Sequence, residues 1–190
     1  MDNLSDTLYE TSIKAFNFVV VDLETTGFSS RKDSVVEIGA VKIINGDITD
    51  KYESLIHTKY IPYYATKAHG ITTVMVKDAP LLTDVRKEFC KFAEDCVFVG
   101  HNIKRFDRPF LSKYFNISEF VPYVDTMDLS RALFPDQRIH RLSVVAERIG
   151  VQKRDYHRAL NDAIVTAHIF IKFLMLGQQK FRTLSDISER

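Results

Sequence analysis

The chain has 190 residues, which is enough for one domain with a substantial hydrophobic core. Apolar residues make up 45% of the sequence and charged residues 27%, a composition typical of globular proteins. The 26 basic residues are matched by 25 acidic ones, so the whole surface cannot attract nucleic acid, and a polyanion would need local basic clusters.

Compartment and membrane signals are few. The N-terminus is polar and acidic rather than a signal peptide, and the sequence predicts no membrane-spanning segment of 18 residues. Cys90 and Cys96 lie in an apolar pattern without zinc-site spacing, which favours reduced core thiols. We therefore expect a cytoplasmic protein with no membrane contact.

The first half of the chain predicts three strands. Residues 16–24 (FNFVVVDLE) form a short, continuous, valine-rich run that is typical of a buried strand. Residues 34–44 and 48–57 follow, separated by the hairpin turn signal NGD at 45–47. The three strands should therefore be consecutive and antiparallel.

The second half alternates helices and strands, after a loop-rich stretch at 61–80 that allows short helices at most. Helices are predicted from Thr83, as the capping residue, to about Asp95, and at 107–115, 126–134, 141–149 and 158–175; strands are predicted at 97–100 and 120–126. This order predicts an α/β fold with a mixed five-stranded sheet flanked by helices. We expect a single domain over residues 1–176 and a polar C-terminal tail over 177–190.

Asp22 and Glu24 end the first predicted strand, in the stretch FVVVDLETTGF. Side chains two positions apart in a strand point to the same face, so these carboxylates should project side by side. Like charges at that distance repel, so the pair requires a compensating group.

Two further acidic patches follow later in the chain. Asp107 opens a helix after VGHNIKRF, and alone it would be interpreted as a helix cap. In DYHRALND, His157 alone would be a surface or capping histidine, and Asp162 alone a solvated residue. Together, four carboxylates and one histidine at strand ends and helix starts favour a site for hard cations such as Mg²⁺ or Mn²⁺. Two such ions about 4 Å apart would hold the carboxylates ionised and suit phosphoryl hydrolysis.

Basic residues accompany these patches and fit a polyanionic ligand. Each cluster alone is more typical of a solvated surface, and only their coincidence with the acidic patches favours a functional reading. They comprise Lys104, Arg105 and Arg108; Lys153, Arg154 and Arg158; and Arg138, His140 and Arg141.

The motifs VVDLETTGF, HNIKRFD and HRALND resemble, in order and spacing, the three exonuclease motifs of the DEDDh family. AHGIT followed by MVKDAP matches in the middle, and the resemblance extends over residues 17 to about 174. It is strongest to the proofreading exonucleases of bacterial DNA polymerase III, of the epsilon-subunit and PolC type. One departure is that three residues separate His-Asn from Phe-Asp, where the family commonly has two.

The resemblance implies a ribonuclease-H-like fold and 3′→5′ hydrolysis that releases nucleoside 5′-monophosphates. Asp22 would bridge both metals, Glu24 and Asp162 would complete the shell of the first, and Asp107 would act on the second. His157 would be the general base. Gly27 would let the backbone approach the terminal nucleotide. The implied substrate contacts are Leu23, Thr25, Thr26, Gly27, His101, Asn102, Phe106 and Arg158.

Several readings stay open at this point. The leading one is an exonuclease acting on single-stranded DNA 3′ ends, either freestanding or as a partner of a DNA polymerase subunit. An RNA exonuclease of the same family is the alternative enzyme, although oligoribonuclease-like relatives tend to carry Met where Thr25 stands. A non-catalytic nucleic-acid-binding module on the same fold is the alternative of another class, but it would be expected to have lost a carboxylate.

Overall fold

A computed structural model of the chain describes residues 7–118, 120–152 and 158–188. Five strands form one mixed sheet in the order β3-β2-β1-β4-β5. The first three pair antiparallel, whereas β4 and β5 run parallel to β1, which confirms the predicted sheet. The strands are β1 (Asn17–Thr25), β2 (Val35–Ile44), β3 (Asp47–Leu55), β4 (Cys96–Gly100) and β5 (Tyr123–Asp125).

Among the described residues, the α-helices with both ends defined are α1 (Tyr63–His69), α2 (Leu82–Phe92), α3 (Asp107–Phe115), α4 (Thr126–Leu133), α5 (Leu142–Arg148) and α6 (Ala159–Leu176). One predicted boundary is wrong. The residue before α2 is Leu81, so Thr83 lies inside the first turn instead of capping it, and Cys96 opens β4 instead of continuing the helix. Cys90 and Cys96 are free, as predicted, but both are only half-buried, so neither is a core thiol.

The central strand β1 separates two core layers. Its even-numbered residues Phe18 and Val20 pack in the layer that contains Phe170 of α6. Its odd-numbered residues pack in the opposite layer, which contains Phe89 of α2 and Phe110 of α3. Residues 22 and 24 continue the even series, and strand alternation therefore directs both carboxylates toward α6.

Helix α6 is the most apolar helix of the core. Its 18 residues have a mean hydropathy of 1.5, so in length and composition alone it resembles a membrane-crossing helix, as the buried core helices of globular proteins also do. Half of this segment is buried inside the protein, where α6 contacts β1 and β2. Its apolarity is thus accounted for by packing on the sheet.

The described part of the predicted C-terminal tail packs onto the domain. Phe181, Leu184 and Ile187 are buried in the same layer as α6. Backbone hydrogen bonds also join this segment to the start of the chain, from Ile13 N–H to the Arg182 carbonyl (3.0 Å) and from Leu184 N–H to the Thr11 carbonyl (3.1 Å). The segment is thus polar in composition but anchored by its few apolar residues, and the domain limit at 176 stays a prediction.

Candidate active site

Three carboxylates converge where β1 meets the start of α6. One oxygen from each of Asp22, Glu24 and Asp162 lies within 4.8 Å of the other two. Asp22 and Glu24 are half-buried, and Asp162 is 8% exposed. The predicted convergence of the first and third motifs is therefore present in the geometry.

Asp107 approaches the same strand from the other side. β1 pairs with β4 only as far as Val20, and beyond that point the Leu23 N–H donates to Asp107 Oδ1 (3.1 Å). Asp107 is 3% exposed, and it lies outside the group of three carboxylates. The Leu23 side chain is itself buried in the core, so it offers its backbone to this site.

The clustering of acidic groups changes their protonation. Burial is the main cause that raises the pKa of Glu24 to about 8, and the negative charges of Asp162, Glu37 and Asp107 add to it. Burial likewise raises the pKa of Asp107, although the Leu23 N–H opposes this. Burial and mutual repulsion therefore both favour the protonated form of Glu24 when no cation is present.

The Thr-Thr-Gly turn is held by its own hydrogen bonds. The Thr25 hydroxyl donates to the Gly27 carbonyl (2.6 Å), and the Thr26 hydroxyl accepts from the Ser34 N–H (2.9 Å). A Cβ on Gly27 would lie 2.6 Å from the Asp33 carboxylate. A side chain at position 27 would therefore displace the Asp33 carboxylate, which accepts from the Ser29 N–H (2.9 Å).

Two aromatic residues at this turn were missed by the sequence analysis. Phe28 is 87% exposed, and its ring meets that of Phe106 edge-on with centroids 6.3 Å apart. Tyr64 of α1 donates its hydroxyl to the Thr26 carbonyl (3.0 Å). Phe28 follows Gly27 directly and could have been noticed, whereas Tyr64 is 38 residues away from Thr26 and carries no local signal.

His101 is half-buried, and its ring is held by other residues of the protein. Its Nε2 donates to the His140 carbonyl (2.7 Å), and its Nδ1 lies 2.9 Å from the Thr126 hydroxyl, which also lies 3.2 Å from the Gly100 carbonyl. Burial lowers the pKa of His101 to about 4, which matches a neutral ring with this tautomer. Both ring nitrogens therefore have hydrogen-bond partners within the protein. A substrate contact by His101 would have to replace one of these bonds.

The three-residue spacing after His-Asn is absorbed by a tight turn. Asn102 has a positive φ of 66°, and its N–H donates to Asp125 Oδ1 (2.8 Å). The Phe106 N–H returns to the Asn102 carbonyl (3.2 Å), and Ile103 is buried at 1% exposure. The additional residue is therefore accommodated, and Asp107 still opens α3.

The remaining predicted residues lie at the start of α6. Arg158 precedes the helix, and its guanidinium is paired with Glu37 of β2. His157, Lys153 and Arg154 lie outside the described residues. The role of His157 as a base accordingly stays a prediction.

A carboxylate cluster at the end of the central strand of such a mixed sheet is the arrangement of a hydrolytic nuclease. The chain belongs to the RNase T exonuclease family, whose model matches residues 19–170. The resemblance found in the sequence is confirmed at the level of the family: the chain carries an exonuclease-family domain.

The similar proteins include DNA polymerase III components. The PolC-type DNA polymerase III of Caldanaerobacter subterraneus subsp. tengcongensis is 40% identical over 176 residues, which cover 90% of this chain but only 12% of that protein. The DNA polymerase III subunit epsilon of Aquifex aeolicus is 39% identical over 162 residues, which cover 83% of this chain and 80% of that subunit. The chain thus spans a small part of the PolC-type relatives and most of the epsilon relative.

A solved structure supports the fold. Exonuclease X in complex with 5′ overhanging duplex DNA is 27% identical, with a TM-score of 0.73 over 89% of this chain and 98% of that one. The predicted ribonuclease-H-like α/β fold is therefore confirmed.

Proposed function

We propose that this exonuclease hydrolyses single-stranded DNA from the 3′ end and releases nucleoside 5′-monophosphates, with two divalent ions, Mg²⁺ or Mn²⁺. The observation that carries the proposal is the convergence of Asp22, Glu24 and Asp162, with one oxygen of each within 4.8 Å of the others. Oxygen ligands at this separation suit hard divalent cations.

The donor set fits such ions on electrostatic grounds. Glu24 has a pKa raised to about 8, mainly by burial and then by its acidic neighbours, so a cation that displaces its proton would relieve the repulsion. When bound, the ions supply Lewis-acid stabilisation of the phosphodiester and activation of water. Asp22, Glu24 and Asp162 would hold the ions, and Asp107 would contribute from the buried side next to Leu23.

His157 would accept the proton of the attacking water, because its unperturbed pKa near 6.5 suits a general base at neutral pH. The exposed Phe28, edge-on to Phe106, offers an aromatic face on which the terminal base can stack. The backbone of the Thr25–Gly27 turn would lie along the terminal sugar.

DNA is favoured over RNA by two observations. The similar proteins named above are DNA polymerase III components. Position 25 is threonine, where oligoribonuclease-like relatives tend to carry Met. By the same likeness we propose a DNA polymerase subunit as partner, and an RNA exonuclease remains the second candidate.

The test is degradation of 5′-labelled single-stranded DNA, duplex DNA and RNA, with Mg²⁺, with Mn²⁺ and with chelator. We expect a ladder of single-nucleotide steps on the single-stranded DNA, abolished by chelator, and slower loss of the RNA. Asp162→Asn should be inactive, whereas Asp50→Asn, the same change at an exposed position of β3, should match the wild type. Full activity in chelator would contradict the metal proposal, and cutting of a circular strand as fast as a linear one would contradict an exonuclease acting at ends.

A further inference from the structure

Glu37 is a buried carboxylate beside the site that belongs to none of the three motifs. It lies on β2 directly opposite Glu24 of β1 and is 2% exposed. A carboxylate this buried is stable in its charged form only when it is paired and hydrogen-bonded.

Its two oxygens are bound by the residues that begin α6. Arg158 donates to Glu37 Oε1 from Nη2 (2.6 Å) and from Nε (2.9 Å), and Nε also lies 3.2 Å from Oε2. The Ala159 N–H donates to Oε2 (2.9 Å). Glu37 therefore supplies both a multidentate salt bridge and an acceptor for a free N–H at the positive end of the helix.

These bonds fix the part of α6 that the chemistry needs. Asp162 lies one turn after Arg158, and its N–H donates to the Arg158 carbonyl (3.1 Å). Glu37 is thus tied by direct hydrogen bonds to the two residues that begin the turn carrying Asp162, a proposed metal ligand.

We propose that Glu37, acting through Arg158, is a positioning residue that sets Asp162 for hydrolysis; this inference rests on the function proposed above. Arg158 was predicted to contact substrate, but its charge is already matched by Glu37 and its side chain is 44% exposed beside it. A neutralised guanidinium adds little attraction for phosphate. Loss of the pair should therefore lower kcat and leave KM nearly unchanged.

The test compares wild type with Glu37→Gln, Arg158→Lys and the matched control Glu53→Gln. Glu53 is an exposed glutamate on β3 whose charge also acts on Arg158, but through space. Rates are measured on 5′-labelled single-stranded DNA with saturating Mn²⁺, well below each variant's unfolding temperature. Because a misplacement of about 1 Å costs up to about 10²-fold, we expect Glu37→Gln to lower kcat by about 10- to 100-fold with KM within about twofold.

Arg158→Lys keeps the charge but loses the multidentate geometry, so a partial loss of kcat is expected. Glu53→Gln should behave as wild type. A second measurement is a double-mutant cycle of urea unfolding in chelator, with Glu37→Gln, Arg158→Gln and the double variant. The loss of unfolding free energy in the double variant should be smaller than the sum of the losses in the two single variants. Each single change leaves the other residue without its hydrogen-bond partner.

The outcomes separate the two proposals. If wild type hydrolyses DNA and Glu37→Gln keeps its kcat while folded, the positioning role is wrong and the proposed function stands. A raised KM at unchanged kcat in Arg158→Lys would restore Arg158 as a substrate contact and also overturn the inference. Additive destabilisation in the cycle would mean that the pair is not coupled. A wild type that hydrolyses no nucleic acid with either metal would end both proposals.

Discussion

Replacement of Gly39 by alanine should separate α6 from the sheet. Gly39 lies on β2 opposite Asp22, and a Cβ there would lie 2.5 Å from the Cα of Leu160 and closer still to the Leu160 nitrogen and the Ala159 carbonyl carbon. All three are backbone atoms of the first turn of α6, so no side-chain rotation can relieve the overlap. The helix start, or the strand, must move.

The size of the movement follows from the contact. The added Cβ would lie 2.1 Å from the Leu160 nitrogen, so the backbone must shift by about 1.3 Å to reach the 3.4 Å of ordinary van der Waals contact. Overpacking of this kind costs about 1–3 kcal/mol. For a domain of this size that lowers the unfolding temperature by about 2–12 °C. Asp162 moves with the same turn, and a displacement of about 1 Å of a metal ligand can lower the rate by about 10²-fold.

Thermal unfolding in chelator measures the loss of stability. Calorimetric titration with Mn²⁺ measures metal affinity, and single-turnover hydrolysis measures the rate. Gly46→Ala is the control, because Gly46 has a φ of 87° with no atom within 4 Å of the added Cβ. It should lose about 1–2 kcal/mol through left-handed backbone strain, but keep wild-type metal affinity and rate. If Gly39→Ala unfolded within 1 °C of wild type and bound Mn²⁺ normally, the packing of α6 on Gly39 would not control the site.

Three further predictions concern the site itself. Because the pKa of Glu24 in the fold is raised to about 8 from 4.5, the metal-free fold binds more protons than the unfolded chain between these values, and its stability should fall as pH rises through that window. The rise in unfolding temperature on adding Mg²⁺ should therefore be larger at pH 8 than at pH 6; an equal rise would contradict the proton exchange. Asp162→Asn should weaken Mn²⁺ binding in a calorimetric titration, whereas His157→Ala should bind Mn²⁺ normally and lower kcat by about 10²- to 10⁴-fold, and loss of metal by both would deny His157 the role of base. Phe28→Ala should raise KM for single-stranded DNA by about 10-fold, from about 1–3 kcal/mol of lost base stacking, with no change in unfolding temperature, and an unchanged KM would exclude stacking.

The fold was predictable because its elements follow strong local patterns. The buried run before Asp22 is typical of a strand, and side chains alternate between the two faces of a strand. Residues 22 and 24 are therefore predicted to share one face. The boundary of α2 was less certain, because Leu81 supplies no side-chain cap and Thr83 was the nearest residue of capping type.

The site was predictable to the extent that its residues carry charge near strand ends. Asp22, Glu24 and Asp162 meet as expected, whereas both ring nitrogens of His101 have hydrogen-bond partners within the protein. Its Nε2 is hydrogen-bonded to the carbonyl of His140, which is 39 residues later in the chain, and no local sequence pattern predicts such a bond. Long-range hydrogen bonds decide whether a polar residue is structural or free to act, and sequence spacing does not report them.

Glu37 and Gly39 show how the second strand determines the site formed by the first. They are two positions apart on β2, so they share one face, and they lie opposite Glu24 and Asp22 respectively. Gly39 lets the backbone of α6 approach by having no side chain, and Glu37 then holds the same turn through Ala159 N–H and Arg158. The distance from Asp162 to the β1 carboxylates is therefore set by the stretch EIG at 37–39 as much as by the acidic residues themselves. A chain that kept every carboxylate but changed this stretch should keep the sheet and lose the convergence of the three carboxylates that the proposed metal site needs.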